Sequence, residues 1–123
     1  MKDLTLSPSS ENYVETLFFL KNENGDVRVT DLAIEVDVSK ASVNKAVKNL
    51  KELELVNHNH YGSISLTDKG LNFAKEIARK HEILFNFLKL VGVDETTAED
   101  EACTIEHFLS LDTVQKIEKY TKR

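Results

Sequence analysis

From Ser39 to Lys51 the chain carries four lysines, Lys40, Lys45, Lys48 and Lys51, and no acid, whereas the 123 residues together hold 16 Lys or Arg against 21 Asp or Glu and a formal charge of −5. Within the same stretch Val43, Ala46, Val47 and Leu50 recur at i, i+3, i+4 and i+7, the period of a helix with one buried side. The spacing therefore predicts a helix from Ser39 to about Leu53, capped by Ser39 and packed through those four residues. Its outer face would hold Lys40, Ala41, Asn44, Lys45, Lys48 and Lys51. An acidic chain does not coat nucleic acid indiscriminately, so this is a local cationic face. The plain alternative is a charged face that only solubilises its helix.

The flanking residues weigh against that alternative. Glu11 to Lys21 reads as an amphipathic helix with Tyr13, Leu17 and Leu20 on one side, Val14 and Phe18 beside them, Ser9 or Ser10 as cap and Pro8 just outside. A turn at residues 22–26 leads to a short helix from Thr30 to Glu35, with Thr30 as N-cap, and Asp37-Val38-Ser39 turns into the cationic helix. Beyond it, Leu55 to His58 and Ser63 to Leu66 are strand candidates joined by Asn59-His60-Tyr61-Gly62. Three helices closed by a hairpin make a winged helix-turn-helix, expected over residues 1–70.

In such a fold Lys40, Lys45 and Lys48 would neutralise phosphates, while Ser42 and Asn44 reach base edges or backbone oxygens. Arg28, Ser39 and Ala41 complete the candidate DNA-binding set, with His60 on the hairpin lying along the flanking backbone. His58 and His60 alternate onto one side of that hairpin and read as wing residues rather than metal ligands.

Residues 71–123 read as helical. Thr67 and Asp68 offer caps for a long helix from Lys69 to about Val91, ended by Gly92; further helices run from about Thr96 to Leu109 and from Leu111 to Tyr120. The fold class expected is mainly α with a small β-hairpin. On the penultimate helix Cys103, Glu106 and His107 stand at i, i+3 and i+4, so a thiol, a carboxylate and an imidazole share one face. They make half of a metal site, or else a small packed cysteine beside two solvated residues. His81, and the pair Asn12 and Glu15 on the first helix, are equally ambiguous by spacing alone.

Composition sets the remaining bounds. Hydrophobic residues at 41% suffice for a packed interior, and no apolar run approaches the roughly 18 to 20 residues that cross a bilayer. A cytoplasmic protein without membrane contact is expected, in which Cys103, the single cysteine, forms no internal disulfide and remains a thiol able to bind metal or to pack. No nucleophile or glycine-rich loop accompanies the ligand candidates, which argues against an enzyme such as a metal-dependent hydrolase or oxygenase built on Glu106, His107 and His81. No small organic substrate is expected either.

Three stretches carry a family likeness: Ser9 through Glu15; Leu32 through Leu53 with the hairpin and Leu66-Thr67-Asp68-Lys69-Gly70; and Arg79-Lys80-His81-Glu82 with Glu101 through Ser110. The chain resembles the diphtheria toxin repressor and manganese transport regulator family of metal-dependent repressors, in its short two-domain form. The resemblance implies that residues 71–123 bind metal and dimerise, and that Cys103, Glu106 and His107 hold a regulatory divalent ion with His81, Glu15 and the position of Asn12.

There are departures from the family. Manganese regulators have a glutamate at Cys103 and an aspartate at Asn12, iron regulators a methionine at the latter; Asn12 offers only a neutral carbonyl. Phe85 stands where the iron branch has a second-site carboxylate, and Glu99 replaces a second-site histidine, so a complete iron-type second site is not expected and a second ion would share His81, Glu106 or Glu99. A set of oxygens, imidazoles and one thiol suits Fe(II) or Mn(II), with Cys103 favouring Fe(II), and Co, Ni or Zn can substitute in vitro. By resemblance the partners are a palindromic double-stranded operator and a second copy of the chain. Leu84, Phe87, Leu88, Phe108 and Leu109 are candidates for the two-fold interface. A winged-helix regulator that ignores metal is the rival reading.

Overall fold

The computed structural model describes residues 6–24, 26–59 and 62–122. Its elements run α1 (Pro8–Asn24), β1 (Val27–Arg28), α2 (Val29–Val36), α3 (Lys40–Glu52), β2 (Val56–His58), β3 (Ser63–Leu66), α4 (Asp68–Leu90), α5 (Glu95–Ile105) and α6 (Leu111–Thr121). The chain divides into two compact units, Met1–Ala74 and Lys75–Arg123, with the division inside α4.

Unit 1 has an extensive core. Tyr13, Val14 and Leu17 of α1, Leu32 and Ala33 of α2, and Val43, Val47 and Leu50 of α3 are buried together with Leu55, Val56 and Ile64 from the sheet region. At about 1.5–3 kcal/mol for each fully buried large aliphatic side chain, this core specifies the arrangement. Ala46 is only half-buried, because it sits at the edge of the stripe formed by Val43, Val47 and Leu50.

Local start and stop signals differ from expectation at three helices. Pro8 lies inside α1, not outside it. Ser7 caps the helix through its Oγ, which accepts from Ser10 N at 3.1 Å, and proline at the first helical position loses no bond there. At α2 the cap is Arg28 rather than Thr30: the Asp31 carboxylate accepts from the Arg28 backbone N–H at 2.9 Å and so starts the helix two residues earlier. At α5 the start is Glu95, where Asp94 accepts from Thr97 N at 3.0 Å, and the end is Ile105 rather than Leu109. Ser39 caps α3 as expected, accepting from Ser42 N at 3.1 Å.

The hairpin acquires a third strand. Strand order is β1-β3-β2, antiparallel throughout, with Val27 opposite Ile64 on one side and His58 opposite Ile64 on the other. A two-residue strand shows no alternation to read. Thr67 then joins sheet to helix: its N–H donates to Leu55 O at 3.0 Å, its hydroxyl donates to Glu54 O at 2.6 Å, and the same oxygen accepts from Gly70 N at 3.0 Å.

Unit 2 packs α4, α5 and α6 around Ile83, Leu84, Ala102 and Val114, flanked by Phe85, Leu88, Ile105, Leu109 and Ile117. Leu84 belongs to this internal core, and Leu88 and Leu109 pack against it. Leu84, fully buried within the unit, is thereby unavailable to an interface, whereas Leu88 and Leu109 are only partly covered. Leu90, Val91, Phe108 and Tyr120 are instead the exposed large apolar residues among those described in this unit. Gly92 takes φ +103° after α4, a conformation that favours glycine.

Gly70 faces a stronger constraint. A Cβ there would lie 2.0 Å from the Leu55 carbonyl oxygen, and that backbone cannot move aside without disturbing both the sheet and the Thr67 junction. Gly70→Ala is expected to destabilise unit 1 by roughly 1–3 kcal/mol or more, the scale of overpacking in a filled interior. Urea unfolding followed by circular dichroism measures this; an unchanged midpoint would show that the helix N-terminus can slide.

Candidate functional site

Two sets of residues stand out, one in each unit. In unit 1, α2 and α3 are joined by a short turn in which Asp37 takes the left-handed conformation, φ 61° and ψ 54°, and its N–H closes onto Ala33 O. This turn aims α3 outward. Lys40, Ala41, Ser42, Asn44, Lys45, Lys48 and Lys51 are all exposed on it, while the opposite stripe is buried. Ser39 also lies exposed, but its hydroxyl is engaged in the cap, 3.0 Å from Ser42 Oγ. Arg28, exposed on β1, extends its guanidinium to the turn between β2 and β3, where its Nη1 lies 3.0 Å from the position a Cβ would take on Gly62. His60 lies outside the described residues.

In unit 2, α4 contributes His81 and the chain from α5 onward contributes Glu99, Cys103, Glu106 and His107. Ala98 and Ala102 have no exposed surface, and residues so small let α5 lie close to its neighbour. On α5, Glu99, Cys103 and Glu106 follow at i, i+4 and i+7 along one stripe.

Glu106 is the centre of the cluster. Its side chain has no exposed surface; Oε1 lies 2.6 Å from His81 Nδ1, and Oε2 has the His107 Nε2 atom at 3.5 Å. Among the described residues Oε2 makes no hydrogen bond. The Cys103 sulfur is 3.7 Å from His81 Nδ1, so His81, Cys103 and Glu106 offer ligand atoms within 4.8 Å of one another. His107 follows the end of α5 in a turn, with Phe108 N donating to Ile105 O at 3.0 Å. His107 thus lies just past the last residue of α5, with its imidazole beside Glu106.

The remaining candidates are placed as follows. His81 Nε2, on the far side of the ring, lies 2.6 Å from Glu99 Oε2. Phe85 stacks on His81 with ring centroids 6.3 Å apart and planes 7° from parallel, and Lys89 Nζ stands 5.2 Å above the Phe85 ring. No carboxylate can occupy that place. On α1 of unit 1, Glu15 is buried and Asn12 exposed.

Lys80 escaped the sequence reading. It is 7% exposed, and its ammonium donates to the Leu109 carbonyl at 3.1 Å, fixing the turn that carries His107. The signal was present, since Lys80 falls at i+3 from Ile77 and i−4 from Leu84, on the buried side of α4.

The donor set fits a divalent transition ion. A buried carboxylate with an unsatisfied oxygen, flanked by two imidazoles and a thiol, is costly to leave without a cation. Oxygen, nitrogen and a single sulfur together suit a first-row ion better than calcium or magnesium. Without metal, a proton fills this role: the hydrogen bond to Glu106, with the negative charges of Glu106 and Glu99, raises the His81 pKa to about 9 against the opposing effect of burial. Outward cationic helix and inward donor cluster together define the class of winged-helix transcriptional regulators that carry a metal-binding helical unit.

Comparison with known proteins specifies the family. Residues 5–64 match the model of the iron dependent repressor, N-terminal DNA binding domain, and residues 67–123 that of the iron dependent repressor, metal binding and dimerisation domain. The HTH-type transcriptional regulator MntR of Bacillus pumilus is 37% identical over 111 residues, covering 90% of this chain and 77% of its own. An HTH-type transcriptional regulator of Methanocaldococcus jannaschii is 35% identical over 120 residues, 96% of either chain. The solved structure of a manganese-dependent transcriptional repressor in complex with manganese matches with a TM-score of 0.83 and 26% identity, over 92% of this chain. The present chain spans 52% of that one, about half its length. The chain belongs to the iron-dependent repressor family, that of the diphtheria toxin repressor and the manganese transport regulator. This is a family of DNA-binding transcriptional repressors and not of enzymes. No described helix is long and apolar enough to cross a membrane.

The His81 proton has a consequence for stability. Because the folded pKa, about 9, lies above the ordinary 6.5, the protonated ring stabilises the metal-free fold fully below pH 6.5, and this contribution is lost as pH rises through about 9. Metal-free protein should therefore show a thermal midpoint that falls across this window, and His81→Gln should flatten the slope. Scanning calorimetry in chelator tests it; identical slopes in the two proteins would contradict the pairing.

Proposed function

We propose that the chain is a homodimeric repressor that binds a palindromic operator when a divalent metal occupies the Cys103-Glu106-His107-His81 cluster, and that it controls genes of metal homeostasis. The observation carrying this reading is the fully buried Glu106 carboxylate, which has an unsatisfied oxygen between ligand-type side chains. His81, Cys103, Glu106 and His107 would hold the ion, which would supply the positive charge that the buried Glu106 carboxylate calls for, and binding would favour the arrangement in which these side chains converge. A ligand that prefers one conformation shifts the population towards it.

Glu15 is proposed as a further carboxylate ligand on the family resemblance alone. Asn12, exposed and neutral, would contribute at most a carbonyl. Fe(II) is proposed over Mn(II) because Cys103 supplies a soft donor where manganese regulators have a carboxylate. The exposed Leu90, Val91, Phe108 and Tyr120 support a second copy of the chain as partner, since apolar surface of this kind is covered in oligomers.

For DNA, the exposed face of α3 is proposed to enter the major groove, with Lys40, Lys45 and Lys48 on phosphates and Ser42 and Asn44 at base edges. The Ser39 hydroxyl already caps the helix, so its backbone rather than its side chain faces the phosphates. Arg28, against the β2–β3 turn, is proposed to hold the adjacent backbone.

Fluorescence anisotropy tests the switch, using a duplex selected from a random library by the Mn(II)-loaded protein. Chelator should weaken binding at least about tenfold, the usual scale of such coupling, and His107→Ala should reproduce the chelated affinity in saturating Mn(II). Unchanged affinity on chelation would overturn the metal switch and leave a metal-independent winged-helix regulator.

A further inference from the structure

We propose that Glu99 is a positioning residue for the metal site: by accepting the Nε2–H of His81 it commits the ring to offer Nδ1 to the ion. The inference rests on the metal-site reading above and assigns a role to a side chain that could also be read as a ligand for a second ion.

The argument starts from the two nitrogens of one ring. Nδ1 faces the buried carboxylate of Glu106 at 2.6 Å and the sulfur of Cys103 at 3.7 Å, whereas Nε2 faces Glu99 Oε2 at 2.6 Å. A neutral imidazole carries one proton and one lone pair. If Nδ1 gives its lone pair to a cation, the proton must reside on Nε2, where Glu99 is in place to accept it. A second cation on Nε2 would require the ring to lose both protons, which a carboxylate at this distance opposes. Metal-ligating histidines commonly hold their other nitrogen against such an acceptor, and the acceptor governs ring orientation and basicity.

Two further observations agree. Phe85 lies parallel to the ring and occupies the face across which His81 would rotate. Glu99 is 54% exposed, so its charge is not itself buried among the ligand atoms; it sits in a shallow depression with Glu95, Thr96 and Asp100. Asp100 therefore provides a control that alters local charge without touching His81.

The test uses Cd(II) alone, added to reduced protein with 15N-labelled histidine. Cadmium-113 coupling is expected at His81 Nδ1, with the proton retained on Nε2. Titration should show Glu99→Ala weakening Cd(II) binding by roughly 10- to 100-fold, Glu99→Gln weakening it by only a few-fold because the amide oxygen still accepts, and Asp100→Asn leaving it unchanged. If Glu99→Ala removes one ion per chain while leaving the tighter affinity intact, Glu99 is a ligand and the inference fails. Coupling at Nε2, or an equal loss in Asp100→Asn, overturns it as well. Absence of Cd(II) binding by the wild-type chain would overturn the metal-site reading itself, a result separate from any pattern among the variants.

Discussion

The carboxylate of Glu106 is fully removed from water, and one of its oxygens makes no hydrogen bond among the described residues. An ionised carboxylate in that position costs several kcal/mol unless positive charge stands beside it. In the metal-free protein the protonated ring of His81 meets that need, and in the proposed active state a divalent ion does. Proton and metal thus compete for the same negative charge. The surrounding residues follow from this requirement: alanines on α5 allow close packing, Lys80 fixes the turn bearing His107, and Glu99 holds the far nitrogen of His81.

Unit 1 answers a different constraint. The cationic face of α3 can be exposed only because Val43, Val47 and Leu50 anchor the opposite side in a large core. The left-handed Asp37 sets the direction from α2 into α3, and Thr67 with Gly70 seats α4 directly against the end of the sheet. Each of these junctions depends on a backbone hydrogen bond completed by a particular small or polar residue. The three-helix and wing arrangement is consequently a matter of local chemistry as much as of hydrophobic burial.

Much of this was legible in the sequence. The helix from Ser39 could be read because its cap, apolar period and charge segregation agree, and the structure follows all three. Strand β1 could not be read, since a two-residue pairing is decided by Ile64 and Ser63 across the sheet rather than by Val27 and Arg28 themselves. The early end of α5 was equally hidden: Glu106, His107 and Phe108 continue a helical pattern, but the tightened turn and the Lys80 bond to Leu109 arrest it. For the donor cluster, spacing proposed Cys103, Glu106 and His107, while the approach of His81 required α4 to pack beside α5. Leu84 was misplaced at an interface because periodicity distinguishes buried from exposed, not one buried surface from another.

Cobalt(II) absorption spectroscopy of the reduced protein tests the central claim most directly, because a thiolate bound to cobalt gives intense near-ultraviolet charge transfer and the visible bands report coordination number. The account predicts a thiolate band that appears with stoichiometric Co(II), vanishes in Cys103→Ser, and loses its tight-binding phase in Glu106→Gln. A spectrum of hydrated Co(II), or a thiolate band indifferent to Glu106, would show that the buried carboxylate does not serve a cation.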